Sequence, residues 1–166
     1  DHPITGRMRS VDTARINTLL DAGSIVLMSP MGYSASGQAF NLAAEELSAD
    51  VSVALNADKL IMLDELNHLT NSNGQRESTA TPTSLQILIG ANEKISTTTR
   101  LRLDTMVQAV RGGVTKAHII SFQEDGGVLQ ELFTADGVGT QVLEETTGPV
   151  RPAKAEDVSD IVEIIR

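Results

Sequence analysis

The stretch GGVTKAHIISFQEDGGVLQELFTADGVGTQV, Gly112 to Val142, decides how the chain folds, because it holds a strand, a helix and a glycine-spaced turn in one βαβ-like unit. Ala117, Ile119 and Ile120 make a short apolar strand, and Asp125-Gly126-Gly127 breaks it. Val128, Leu129, Leu132 and Phe133 then recur at the spacing of one helical face, and Asp136-Gly137-Val138-Gly139 leads into a last strand through Val142. Glu131 sits inside that apolar face. A lone glutamate on a short helix ordinarily turns to water. Its neighbours offer a second reading: Gly137 and Gly139, spaced G-x-G, leave backbone N–H and C=O groups bare where a ligand can approach, and His118 lies on the strand feeding the unit. A carboxylate beside bare backbone suits a guanidinium or ammonium group.

Composition narrows the classes. The 166 residues can bury one sizeable core, and with 2% aromatic residues that core is aliphatic. The absence of cysteine excludes a disulfide framework, thiolate chemistry and cysteine-based zinc sites. His2, His68 and His118 show no ligand spacing, so no metal site is expected. A net charge of -9 argues against nucleic acid or an anionic membrane as partner. With no apolar run of transmembrane length and no basic, apolar leader, the expected location is the cytoplasm.

From the N-terminus, Gly6 to Val11 reads as a short exposed strand, and Asp12 as the N-cap of a helix carrying Ile16, Leu19 and Leu20 that Gly23 ends. Ile25-Val26-Leu27-Met28 is a continuous apolar run, the pattern of a strand covered on both faces. Met31 to Gly37 is a loop of small residues. Asn41 can cap a helix with Glu45 and Glu46 in its first turn and Leu47, Val51, Ala54 and Leu55 on its buried face. Lys59 to Leu63 is the next strand, ending at Asp64. Asn73-Gly74 signals a type I′ hairpin, and Thr83 or Ser84 caps a short helix from Leu85 to Ile89. A longer helix follows, with Leu103, Met106, Val107 and Val110 on one face and Gly112-Gly113 at its end. Four apolar strands separated by helices predict an α/β fold, a three-layer αβα arrangement with a mostly parallel central sheet.

LQELFTADGVGTQV preceded by GGVTKAHII resembles the C-terminal signature of the amino acid kinase family, in particular its arginine-responsive acetylglutamate kinases and the bacterial N-acetylglutamate synthases that carry a related domain. The resemblance implies a partial amino acid kinase-like fold and places an arginine site at Glu131, Gly137, Gly139 and His118. It also marks departures from a working kinase. Active members read approximately N-x-N-A-D at a helix start, where this chain has Asn41-Leu42-Ala43-Ala44-Glu45: Ala43 replaces the second asparagine and Glu45 the aspartate. Their T-G-G-M-x-x-K loop becomes Ser96-Thr97-Thr98-Thr99-Arg100-Leu101-Arg102, with Thr97 and Thr98 at the glycines and Arg102 at the lysine. Threonine disfavours the conformations glycine allows, and a planar guanidinium is no geometric substitute for an ammonium.

Glu144 to Pro149 reads as a linker, and Val150 to Arg166 starts a new pattern. Val158, Ile161, Val162 and Ile165 fit an amphipathic helix, and in this position V-R-P-A and the following helix resemble the first strand and helix of a GNAT-type acetyltransferase. The expected division is therefore 1–143, the C-terminal portion of an amino acid kinase-like regulatory domain; 144–149, a linker; and 150–166, the start of a GNAT domain. That order resembles bacterial-type N-acetylglutamate synthases. It implies an arginine-sensing part of an acyltransferase that moves acetyl from acetyl-CoA to L-glutamate in the first step of arginine biosynthesis, a homo-oligomer in which these 166 residues alone lack the acetyl transfer and bind no cofactor. Two alternatives remain at this point: an acetylglutamate kinase-type phosphotransferase domain, and an oligomerisation module without a ligand.

Overall fold

The computed structural model describes residues 5–66, 68–71, 73–91, 95–134 and 137–144. The proposed GNAT start and all but the first residue of the linker lie outside the described residues.

In chain order the elements are α1 (Thr13–Asp21), β1 (Met31–Tyr33), β2 (Ala39–Asn41), α2 (Ala44–Ala54), β3 (Lys59–Asp64), β4 (Leu69–Thr70) and β5 (Arg76–Glu77). They continue with β6 (Thr79–Ala80), α3 (Pro82–Ala91), α4 (Thr97–Arg111), β7 (Lys116–Ser121), α5 (Gly127–Phe133) and β8 (Thr140–Leu143). The main sheet has the order β3-β7-β8-β6. β3 and β7 are parallel, as are β6 and β8, while β7 and β8 are antiparallel, so the sheet is mostly parallel with one reversal. That reversal corrects the βαβ reading of the opening stretch: α5 connects two antiparallel neighbours and is no crossover helix.

The sheet's two faces differ. Leu60 and Met62 of β3, Ala117 and Ile119 of β7 and Val142 of β8 pack against Leu85 and Ile89 of α3 and Leu103, Met106, Val107 and Val110 of α4. Each of these leucine, isoleucine, methionine and valine side chains contributes roughly 1.5–3 kcal/mol through burial. α4 forms because its apolar residues keep a 3.6-residue period and because Ser96 caps it, its hydroxyl accepting from the Thr99 N–H at 3.0 Å. Gly113, at φ 110°, turns the chain out of that helix. On the opposite face α5 covers β7, completing the third layer.

Several local expectations change. Ile25–Met28 forms no strand, and Ile25 and Leu27 are 98% and 97% exposed, because no described residue pairs with them. Gly6–Val11 is likewise no strand; its neighbour Thr5 makes one isolated bridge to Asn41. Asp12 does cap α1, accepting from Arg15 N–H at 3.0 Å, and Gly23 adopts φ 77°, yet only Ile16 of the helix is buried. The small-residue segment after Pro30 is an antiparallel β1–β2 hairpin. Asn41 ends β2, so Ala43 occupies the N-cap of α2 without a side-chain bond; Leu47, Ala49 and Ser52 are that helix's buried residues. β4 and β5 form the expected hairpin, but Asn73 does not take the positive φ of a type I′ turn. Gly74 does, at 74°, and the Asn71 carboxamide accepts from Asn73 and Gln75 N–H groups. Thr81, not Thr83, exchanges capping bonds with Ser84 at the start of α3.

Candidate functional site

Two polar clusters are built on this frame, one on each face of the sheet. The first lies where β7, α5 and β8 meet. Because α5 starts at Gly126 in the left-handed conformation (φ 71°), it turns Glu131 inward and its apolar stripe outward. Glu131 is 7% exposed, whereas Leu129 and Phe133 are 63% and 81% exposed. The apolar residues expected on the buried face thus face solvent, and the carboxylate is what the helix buries.

Glu131 is held on two sides. Its Oε1 lies 2.6 Å from His118 Nδ1, and its Oε2 accepts from the Val138 N–H at 2.7 Å and the Gly139 N–H at 3.1 Å. Burial alone would raise this carboxyl, but the bonds from His118, Val138 and Gly139 outweigh it and hold the group below its ordinary value. The carboxylate is therefore ionised at neutral pH. The turn needs its glycines: a Cβ on Gly137 would sit 2.6 Å from Glu131 Oε2, and one on Gly139 would meet the Ile119 carbonyl. From the far side, Arg76 Nη2 donates to the Gly139 carbonyl at 3.0 Å and approaches the Gly137 carbonyl at 3.5 Å. The turn is thus polarised, its N–H groups on a carboxylate and its carbonyls on a guanidinium.

This cluster walls a cleft of about 260 Å³ lined by Lys59, Lys116, His118, Glu131, Gly137, Gly139 and Gln141, with Ser78, Thr79 and Thr134 at its margin. All four residues expected at the arginine site lie together on it. Sequence reading missed Lys59 and Lys116. They are direct partners across the parallel β3–β7 ladder and, by strand alternation, share the face of His118. The signal was present in two strands that each open on lysine, but the pairing that juxtaposes them is non-local. Gln141 stands opposite His118 on β8.

The second cluster occupies the helix-covered face at the carboxyl end of β3. Asp64, 1% exposed, receives Arg102 Nη1 at 2.7 Å, Thr99 Oγ1 at 3.0 Å and the Leu66 N–H at 2.9 Å. Burial would raise the Asp64 carboxyl, but these bonds and the Arg102 charge lower it overall. Arg102 Nε also lies 3.7 Å from Glu45. Glu45 and Arg102 are thus joined through one guanidinium to Asp64. Thr97 and Thr98 begin α4 as ordinary helical residues, and Ala43 precedes α2. Among the described residues no cluster of histidine and acidic side chains could hold a metal ion, and no helix is long and apolar enough to cross a membrane.

The amino acid kinase family model matches residues 2–121. The chain belongs to the amino acid kinase family. Its resemblance to acetyltransferase relatives runs further along the sequence than the family model. It is 39% identical over 170 residues to the amino-acid acetyltransferase of Escherichia coli (strain K12), covering 100% of this chain and 38% of that protein. It is 44% identical over 169 residues to the enzyme of the same name from Pseudomonas fluorescens, covering 99% and 38%. In structure it resembles N-acetylglutamate synthase from Neisseria gonorrhoeae complexed with coenzyme A and L-arginine, with a TM-score of 0.82 at 35% identity, over 99% of this chain and 38% of that one. The chain thus spans less than two fifths of the length of these relatives.

Proposed function

We propose that these residues form the arginine-sensing part of an N-acetylglutamate synthase, an enzyme that transfers acetyl from acetyl-CoA to the amine of L-glutamate. The observation that carries this reading is the cleft on β7, where a buried, ionised carboxylate and two lysines paired across neighbouring strands line a space of amino-acid size. Glu131 uses three of its roughly four lone-pair positions inside the protein, leaving one for a ligand guanidinium. Lys59 and Lys116 offer cations to the ligand's carboxylate. That the N-acetylglutamate synthase from Neisseria gonorrhoeae is complexed with L-arginine supports arginine as the effector.

The opposite cluster supports a regulatory role over a kinase one. Arg102 is neutralised by Asp64 and Glu45, and helical threonines replace bare backbone, so the described residues offer neither a free cation nor a phosphate-accommodating loop there. Residues 1–143 act as the sensor, 144–149 as a linker and 150–166 as the start of the acetyltransferase domain, in a cytoplasmic homo-oligomer whose catalysis requires more than these 166 residues. Arginine acts by binding one arrangement of the two domains better than another.

Calorimetric titration with L-arginine tests this, with ATP as control. A hydrogen bond to a charged group contributes about 1.5–3 kcal/mol, so Glu131→Ala weakens arginine binding by roughly tenfold or more. ATP produces no heat. Saturable ATP binding without arginine binding would return the domain to phosphoryl transfer.

A further inference from the structure

Among the described residues, one buried side-chain nitrogen or oxygen lacks a hydrogen-bond partner: Nε2 of His118. The imidazole is 4% exposed, lines the cleft, and is fixed through Nδ1 to Glu131. We propose that His118 makes this cleft a proton-gated effector site, which takes the cationic end of its ligand only when the imidazole is neutral. The inference rests on the reading of the cleft as an arginine site.

Charge and hydrogen bonding point the same way. Glu131 carries one negative charge, and an imidazolium at 2.6 Å consumes it. A guanidinium entering beside Glu131 then meets a second cation already paired with the one carboxylate that the described residues place on the wall. With His118 neutral, Nδ1–H donates to Glu131, the carboxylate charge is available to the ligand, and Nε2 presents a lone pair that a ligand N–H can fill. Protonated, Nε2 becomes a second donor facing a ligand end that is itself all donors.

The ligand's direction follows from the surrounding charges. Lys116 lies two residues before His118 on the same face of β7, and Lys59 stands beside Lys116 on β3, so the carboxylate end belongs there. The cationic end is left for Glu131 and His118. β8 contributes the uncharged Gln141 opposite His118, and α5 contributes Glu131; Arg76, on β5, is engaged with the turn carbonyls. Glu131, held below its ordinary value, is ionised throughout the pH range 5–8. Imidazole is the side chain on this wall whose charge ordinarily changes there.

The test is calorimetric titration of the 166-residue chain with L-arginine at two pH values, in buffers of different ionisation enthalpy. Linkage to one proton makes arginine bind more than about twofold more tightly near pH ~8 than near pH ~5.5, with proton release wherever the free chain holds the imidazole protonated. His118→Gln keeps an amide able to bond Glu131 but cannot titrate, and its affinity is equal at the two pH values. Arginine binding that changes less than about twofold in the native chain, or a slope that survives in His118→Gln, overturns the gate while leaving the arginine reading standing. No arginine binding at either pH overturns both. Should His118→Gln not fold, the proton count from the two buffers decides alone.

Discussion

At the scale of single residues, the turn at Gly137–Gly139 shows how sequence and site depend on one another. Gly137 takes φ 51°, a conformation costly for other residues, with Glu131 Oε2 where a Cβ would go. Gly139 lies against the Ile119 carbonyl and the Ile120 side chain. Gly139→Ala is therefore expected to push β8 off β7 and lower stability by about 1–3 kcal/mol, the usual cost of overpacking, while abolishing arginine binding. Urea denaturation followed by circular dichroism, paired with calorimetry, reads both effects; a variant of native stability that binds normally would show that the close approach has no role. This part of the site was legible, because G-x-G after a short helix points to backbone that must come close to something. What it approaches was not. The first claim on the Glu131 carboxylate comes from the chain's own N–H groups, and only the folded turn shows that.

Individual elements were read best where one face decides everything. α4 buries Leu103, Met106, Val107 and Val110, as its periodicity requires, and β3 and β7 fall on the runs that announced them. Reading failed where no described residue covers an apolar stretch. Ile25–Met28 and the outer stripe of α5 have the composition of buried segments and are exposed. α5 makes the limit clear: its apolar residues do share a face, but the chain enters through Gly126 in the left-handed conformation and aims Glu131 at His118 instead. The contrast gives a stability prediction. Leu103→Ala, at a fully buried position on α4, costs about 2–5 kcal/mol. Phe133→Ser, at a position 81% exposed, stays within about 0.5 kcal/mol. Chemical denaturation midpoints check the pair, and a large loss at Phe133 would mean that the outer stripe is covered in solution.

Across the whole molecule, the acidic balance and the two buried carboxylates pull stability in opposite directions as pH falls. A net charge of -9 at pH 7 produces self-repulsion, so the first protons taken up by exposed carboxylates relieve it. Asp64 and Glu131 act against this. Both have folded-state values below their ordinary 3.8 and 4.5, so the unfolded chain binds their protons more readily than the folded one. Their contribution is complete above the ordinary carboxylate range and is lost as pH falls through the folded values. Repulsion is long-ranged and screened, whereas these two charges are buried and bonded, Asp64 to Arg102 and Glu131 to His118 and the glycine turn. Mild acidification is therefore expected to change the urea midpoint little, and the loss becomes steep as pH falls through and below the ordinary carboxylate range. Salt separates the two effects: added salt screens the repulsion at neutral pH and leaves the steep acid limb in place. Glu131→Gln, which cannot ionise, flattens that limb by one group's share, and an acid limb identical to that of the native chain would show that the carboxylate does not hold the turn.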